Sequence, residues 1–134
     1  MITTTEHLPL ILLADDDPDY LFQMKFALEK AGFRIVTAET MDEAELSMER
    51  EQPDLAIFDL MMERDDAGFI LSYRAKKKYP AMPVILLTAV TAETGRQFGE
   101  SASGGADWIK ADLYLEKGLH PDQLIKHLNS LLNL

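Results

Sequence analysis

Apolar runs of strand length alternate with helical patterns along the chain. Leu8 to Ala14 (LPLILLA) is almost unbroken in apolar character and stops abruptly at three acids. A strand apolar on both faces is the signature of a central parallel strand, covered by helices above and below. Leu21, Met24, Phe26, Leu28 and Ala31 follow at mixed helical spacing, and Gly32 stops that helix. Phe33 to Ala38 is a β-branched strand candidate. Asp42 to Gln52 predicts a polar helix with Ala44, Leu46 and Met48 as its inner residues. Leu55 to Phe58 is a third short apolar run, and it too ends in an acid, Asp59.

Gly68 to Tyr79 reads as a third helix, its apolar side carrying Phe69, Ile70, Leu71 and Tyr73. Pro80 and Pro83 end it, because proline cannot donate the helix bond. Pro83 to Leu87 predicts a fourth strand closed by Thr88, and Leu113 to Leu115 a short fifth. The last helix begins near Pro121, which suits a first helical turn, and turns Leu124, Ile125, Leu128, Leu131 and Leu132 inward. Five strands alternating with helices imply an α/β fold with a parallel sheet covered on both faces. Right-handed crossovers then favour the doubly wound order 2-1-3-4-5. Ala89 to Ala111 resists the pattern, being Gly/Ser-rich and weakly apolar, and is expected to hold a short or irregular helix inside an enlarged connection. Residues 1–7 are expected to be a flexible polar arm before a single domain spanning 8–134.

Composition narrows the function more than the fold. A length of 134 residues suits one domain, and 47% hydrophobic residues suffice for a real core. The absence of cysteine excludes disulfides and thiolate metal sites and favours a cytoplasmic setting. No apolar run reaches the roughly 20 residues of a membrane helix. The formal net charge of −10, with Lys76, Lys77 and Lys78 the one basic run, argues against direct nucleic-acid binding. Such acidity suits cations or basic partner surfaces; it equally serves plain solubility.

In an open parallel sheet, ligands bind beyond the carboxyl ends of the strands, near the switch point. Asp15, Asp16 and Asp17 leave the first strand at that edge, and Asp59 leaves the third strand beside it. Carboxylates gathered this closely repel one another and call for a cation to stay ionised. Mg²⁺ takes hard oxygen ligands while keeping several waters, so one or two carboxylates plus a phosphoryl oxygen suit it. A carboxylate can also accept a phosphoryl group as an aspartyl phosphate. A hydroxyl and a fixed positive charge are then needed opposite it; Thr88 and Lys117 end the fourth and fifth strands at the same edge.

The segments ILLADDDPDYL, DLAIFDLMM, PVILLTA and DLYLEKG resemble the receiver domain of two-component response regulators, over nearly the whole chain and in the family's order. The resemblance implies a flavodoxin-like fold, here of the stand-alone type, and a phosphoacceptor that is a switch and not an enzyme in its own right. It implies Asp15 and Asp16 as the acid pair with Asp16 a direct Mg²⁺ ligand, Asp59 as phosphoacceptor and second ligand, and the Met61 carbonyl as a third. Thr88 is expected to bond the phosphoryl group, Lys117 to pair with it, and Tyr114 to change rotamer on activation. Output is then expected from the face around the irregular 89–111 stretch, the fifth strand and the last helix. The implied partners are a sensor histidine kinase or a His-containing phosphotransfer protein, and an unknown output protein.

Lys110 competes for the lysine role, since the threonine-to-lysine spacing of the family fits it better. Lys117 is assigned because it stands just past the strand-like LYL, with an aromatic three residues before it, and because the last helix starts at the usual distance beyond it; residues between about 93 and 111 then form an insertion. Gly118 stands where the family usually has proline, and the loop after Asp59 lacks the usual proline and is one residue longer.

Each residue also has a plainer reading. Asp15 to Asp17 is equally a helix-capping turn, Asp59 and Thr88 are ordinary strand-end residues, and Tyr114 is plain packing. Lys76 to Lys78 reads as a solvated helix face, Met61 and Met62 as adaptable packing, and Trp108 as an anchor or a partner contact. His7, His120 and His127 are too scattered for a site. The competing function is a degenerate receiver acting as a phosphorylation-independent interaction module. A phosphohydrolase with an Asp nucleophile is disfavoured by Asp19, and a flavin carrier by the lack of a phosphate loop after the first strand.

Overall fold

The apolar run before Asp15 forms β1, Leu10–Ala14, buried along its whole length. It is followed by α1 (Pro18–Lys30), β2 (Arg34–Ala38), α2 (Met41–Arg50), β3 (Leu55–Asp59), α3 (Ala67–Lys78), β4 (Val84–Thr88), β5 (Leu113–Glu116) and α4 (Pro121–Leu132). This computed structural model describes residues 8–88 and 111–134; the expected arm, the expected irregular helix, Lys110 and Trp108 lie outside them.

All described strand pairs are parallel, in the order β2-β1-β3-β4-β5. The sheet is doubly wound as the alternation predicts. Strand side chains alternate between faces, so Leu12, Ala56, Phe58, Val84 and Leu86 pack with α2 and α3, whereas Ile11, Leu13, Ile57, Ile85 and Leu87 pack with α1 and α4. β1, β3 and β4 are buried on both faces, hence their unbroken apolar composition.

Two aspartates seal the edge where the strands begin. Asp54 accepts from the Leu10 N–H at 2.7 Å and Asp112 from the Val84 N–H at 2.7 Å, so each strand entry is bonded before its ladder starts. Asp112 also pairs with Lys76 at 2.8 Å, which ties the first of the three lysines to the sheet; Lys77 and Lys78 extend beyond it.

The helix faces correct two expectations: Tyr73, two positions beyond the buried Leu71, is exposed and does not belong to the apolar side of α3, and Leu46 is not an inner residue of α2. Ala44 and Met48 are buried, four positions apart on one face, but Leu46 is 46% exposed. Two residues advance a helix by about 200°, so a side chain midway between two inner ones must point away. Among the described residues, no helix is long and apolar enough to cross a membrane.

Candidate functional site

The ends of β1 and β3 are neighbours because the two strands pair directly, Ala14 opposite Phe58. The residues that leave them therefore meet. Asp15, its N–H bonded to the Ala38 carbonyl at 3.0 Å, is fully buried. Its Oδ1 accepts from the Asp17 N–H at 2.9 Å, folding the three acids into a tight turn. Asp17 in turn caps α1, its Oδ1 accepting from the Asp19 and Tyr20 N–H groups at 3.0 and 3.3 Å. The capping role and the clustering of acids are thus one device, and Asp16 is left exposed at the mouth.

Asp59, the last residue of β3, is only 5% exposed. Carboxylate oxygens of Asp15, Asp16 and Asp59 lie within 4.8 Å of one another. Lys117 follows β5, its N–H donating to the Thr88 carbonyl at 2.8 Å. Its ammonium reaches Asp15 Oδ1 and Oδ2 at 3.0 and 2.8 Å and Asp59 Oδ2 at 3.6 Å. Lysine and phosphoacceptor candidate therefore share one pocket of charge, with Lys117 held nearer Asp15 than Asp59.

Of the remaining expected residues, Thr88 ends β4, Met61 follows β3 and Tyr114 lies within β5. Thr88 is buried at the end of β4, one residue beyond the Leu87 that pairs with Asp59. Met61 stands exposed in the loop after β3. That loop is fastened to the sheet by the Leu60 N–H, which donates to Leu87 at 2.8 Å, and to α3 by the Gly68 N–H, which donates back to Leu60 at 2.8 Å. Tyr114 packs half-buried on the α3 side, its hydroxyl buried with no hydrogen-bond partner among the described residues. Gly118 has no neighbour within 4 Å of where a Cβ would stand, and no described peptide bond is cis.

Two contacts were invisible to pattern reading. Glu63 accepts from the Met41 N–H at 3.0 and 3.3 Å, tying the loop after β3 to the start of α2. Tyr20 lays its ring over Lys117, Nζ standing 4.9 Å from the centroid. The sequence signal for Tyr20 is an aromatic in the first turn of a helix that begins directly after clustered acids.

The electrostatics follow from three carboxylates facing one ammonium. Burial pushes Asp59 up to about 6, reinforced by the charge of Asp15 and opposed by Lys117. Burial likewise raises Asp15 despite its Lys117 hydrogen bond. Burial alone would lower Lys117, but the Asp15 hydrogen bond and the Asp15 and Asp59 charges outweigh it and raise the ammonium. Tyr20 is raised by burial and then by the charges of Asp15 and Asp59, so its phenol stays protonated at neutral pH. Such a cluster, short of positive charge and built of hard oxygens, fits a small divalent cation. Asp15, Asp16 and Asp59 supply the donors.

Comparison with known proteins places this arrangement. The response regulator receiver domain family matches residues 11–129. The chain is 32% identical over 124 residues to the transcriptional regulatory protein GltR of Pseudomonas aeruginosa, covering 91% of this chain and 48% of that protein. It is 37% identical over 118 residues to an uncharacterised 14.6 kDa protein of Leptolyngbya boryana, covering 87% and 84% of the two. Of the transcriptional regulators it resembles, the chain spans less than half the length, from 18% to 48%. Among solved structures, the CheY-like response regulator receiver domain protein of Methanospirillum hungatei JF-1 superposes with a TM-score of 0.78 at 28% identity, over 94% of each chain. With the family matched over most of its length, and the parallel sheet and acid cluster in the family's order, this chain belongs to the response regulator receiver domains of two-component systems.

Proposed function

We propose that the chain accepts a phosphoryl group on Asp59, with Mg²⁺ bound, and passes the signal on through a partner. The observation that carries this reading is the setting of Asp59: a nearly buried carboxylate at a strand end, grouped with Asp15 and Asp16 and 3.6 Å from the Lys117 ammonium. Asp16, Asp59 and the Met61 carbonyl would hold the ion, with Asp15 beside them. When bound, it neutralises charge on the transferring phosphoryl oxygens.

The chain's own groups do the rest. An Asp59 oxygen attacks phosphorus while the bond from phosphorus to the donor's leaving atom breaks, and the donor departs with that electron pair. The donor is a phosphohistidine on a sensor kinase or phosphotransfer protein, or a small acyl phosphate. Lys117 stands where it can meet the incoming negative charge, and the Thr88 hydroxyl supplies a hydrogen bond. The Tyr114 hydroxyl, buried and without a hydrogen-bond partner among the described residues, gives that side chain a reason to move once Thr88 is engaged. The chemistry is self-catalysed phosphotransfer, and the output is binding to another protein.

Incubation with acetyl phosphate and Mg²⁺ is expected to add one phosphoryl group by intact mass, and a chelator to prevent it. A folded protein that remains unlabelled overturns the reading in favour of an interaction module. Acidity should act through Asp59. Its carboxyl is raised to about 6, so protons compete with the ion below that pH. Mg²⁺ binding, followed by amide shifts, is expected to be about tenfold weaker at pH 5 than at pH 7. Equal affinity at both values would exclude Asp59 as a ligand.

A further inference from the structure

Among the described residues, four groups bound the Lys117 ammonium: the two oxygens of Asp15, Asp59 Oδ2 at 3.6 Å and the ring of Tyr20 at 4.9 Å. The three oxygens are negative partners whose claims on the lysine change when a phosphoryl group arrives. The ring is neutral, and its claim does not. The Lys117 backbone is held by its N–H bond to the Thr88 carbonyl and by the turn that the Leu119 N–H closes on the Glu116 carbonyl at 3.1 Å, and neither bond fixes where the long side chain carries its ammonium.

The ring is well placed for that task. Asp15 fixes Asp17, and Asp17 caps the turn that carries Tyr20, so the acids and the aromatic are set by one continuous piece of backbone. An aromatic face attracts an ammonium through its quadrupole. It does so without adding a carboxylate to a site already rich in negative charge, where another anion would oppose an incoming phosphoryl group.

We propose that Tyr20 is a positioning residue: its ring holds Lys117 within reach of Asp59, so that removing the ring slows phosphoryl acceptance although every charged group remains. The proposal rests on Asp59 as the phosphoacceptor. The experiment compares the full chain with Tyr20→Phe and Tyr20→Leu, each checked for folding by its amide spectrum. The first readout is the ring-current shift of the Lys117 side-chain methylene protons, which needs no phosphorylation. The second is the initial rate of Mg²⁺-dependent labelling by acetyl phosphate.

Tyr20→Leu is expected to lose the shift and to label about fivefold more slowly, and Tyr20→Phe to keep both within about twofold. Slow labelling in Tyr20→Phe would overturn the proposal by assigning the effect to the hydroxyl. Unchanged labelling in Tyr20→Leu, or Lys117 resonances that do not move, would overturn it as well. A wild-type chain that shows the shift but never labels refutes Asp59 as acceptor and the rate claim with it, while leaving the contact itself demonstrated.

Discussion

Asp59→Asn is expected to abolish phosphoryl labelling and, in the metal-free protein at pH 7, to raise the thermal unfolding midpoint. Labelling is lost because the accepting carboxylate oxygen is gone, and the midpoint rises because a buried charge is gone. Burial, and then the charge of Asp15, push the Asp59 carboxyl up to about 6, so ionising it costs the folded state more than the unfolded chain. A raised acid stabilises the fold below its unfolded value near 3.8, and that contribution is lost as pH rises through about 6. At pH 7 the wild type carries the whole cost, on the order of 2–3 kcal/mol. Asparagine keeps the shape and removes the charge, which corresponds to about 5–10 °C in the midpoint. Near pH 4 the gap should close, and saturating Mg²⁺ should narrow it at pH 7 by stabilising only the wild-type carboxylate. Melting curves by circular dichroism at the two pH values decide it: an asparagine variant no more stable than wild type at pH 7 would mean that Lys117 already neutralises Asp59 in full. The same substitution thus separates what the residue does for function from what it does for folding, and they point in opposite directions.

The residues that read correctly from the sequence are those whose role is set by their neighbours along the chain. Leu10 to Ala14 is a central strand because every side chain there is apolar, and that alone demands cover on both faces. The acids at the ends of β1 and β3 could be brought together on paper because strand order follows from crossover handedness, not from side-chain detail. Leu46 escapes a reading of apolar character alone because its helical phase decides its side; it lies two positions from Ala44 and from Met48, on the opposite side of α2. Tyr20 is hidden in the sequence for a different reason. Its local sequence describes only an ordinary helix start, and its contact is with a lysine on the far side of the fold. Glu63 is similar, since its partner is a backbone N–H at the start of α2. Long-range polar contacts leave no periodicity behind, so patterns locate the strand ends of such a site but not the groups that hold it in place.

Gly68→Ala is expected to be the most damaging glycine-to-alanine change among the described residues, despite lying on a helix where alanine is the favoured residue. The added Cβ would stand 2.6 Å from the Leu60 Cα, 2.7 Å from the Asp59 carbonyl oxygen and 2.9 Å from Leu86 Cδ2. Two of these are backbone atoms at the end of β3, which cannot rotate aside as a side chain can. The first turn of α3 must therefore lift off the sheet, straining the 2.8 Å bond from the Gly68 N–H to Leu60. Overpacking of this kind costs about 2–4 kcal/mol, far more than the gain of less than about 1 kcal/mol that alanine brings to a helix. The strain falls on the residue directly after Asp59, so the loop that carries Met61 should shift and phosphoryl labelling should fall along with stability. Gly118→Ala is the internal control, because a Cβ there meets nothing within 4 Å and the backbone is not in the left-handed region. Denaturant unfolding of both variants measures the contrast: a loss for Gly68→Ala no larger than for Gly118→Ala would show that α3 can yield at that contact, and that Asp59 is not held from beneath by the glycine.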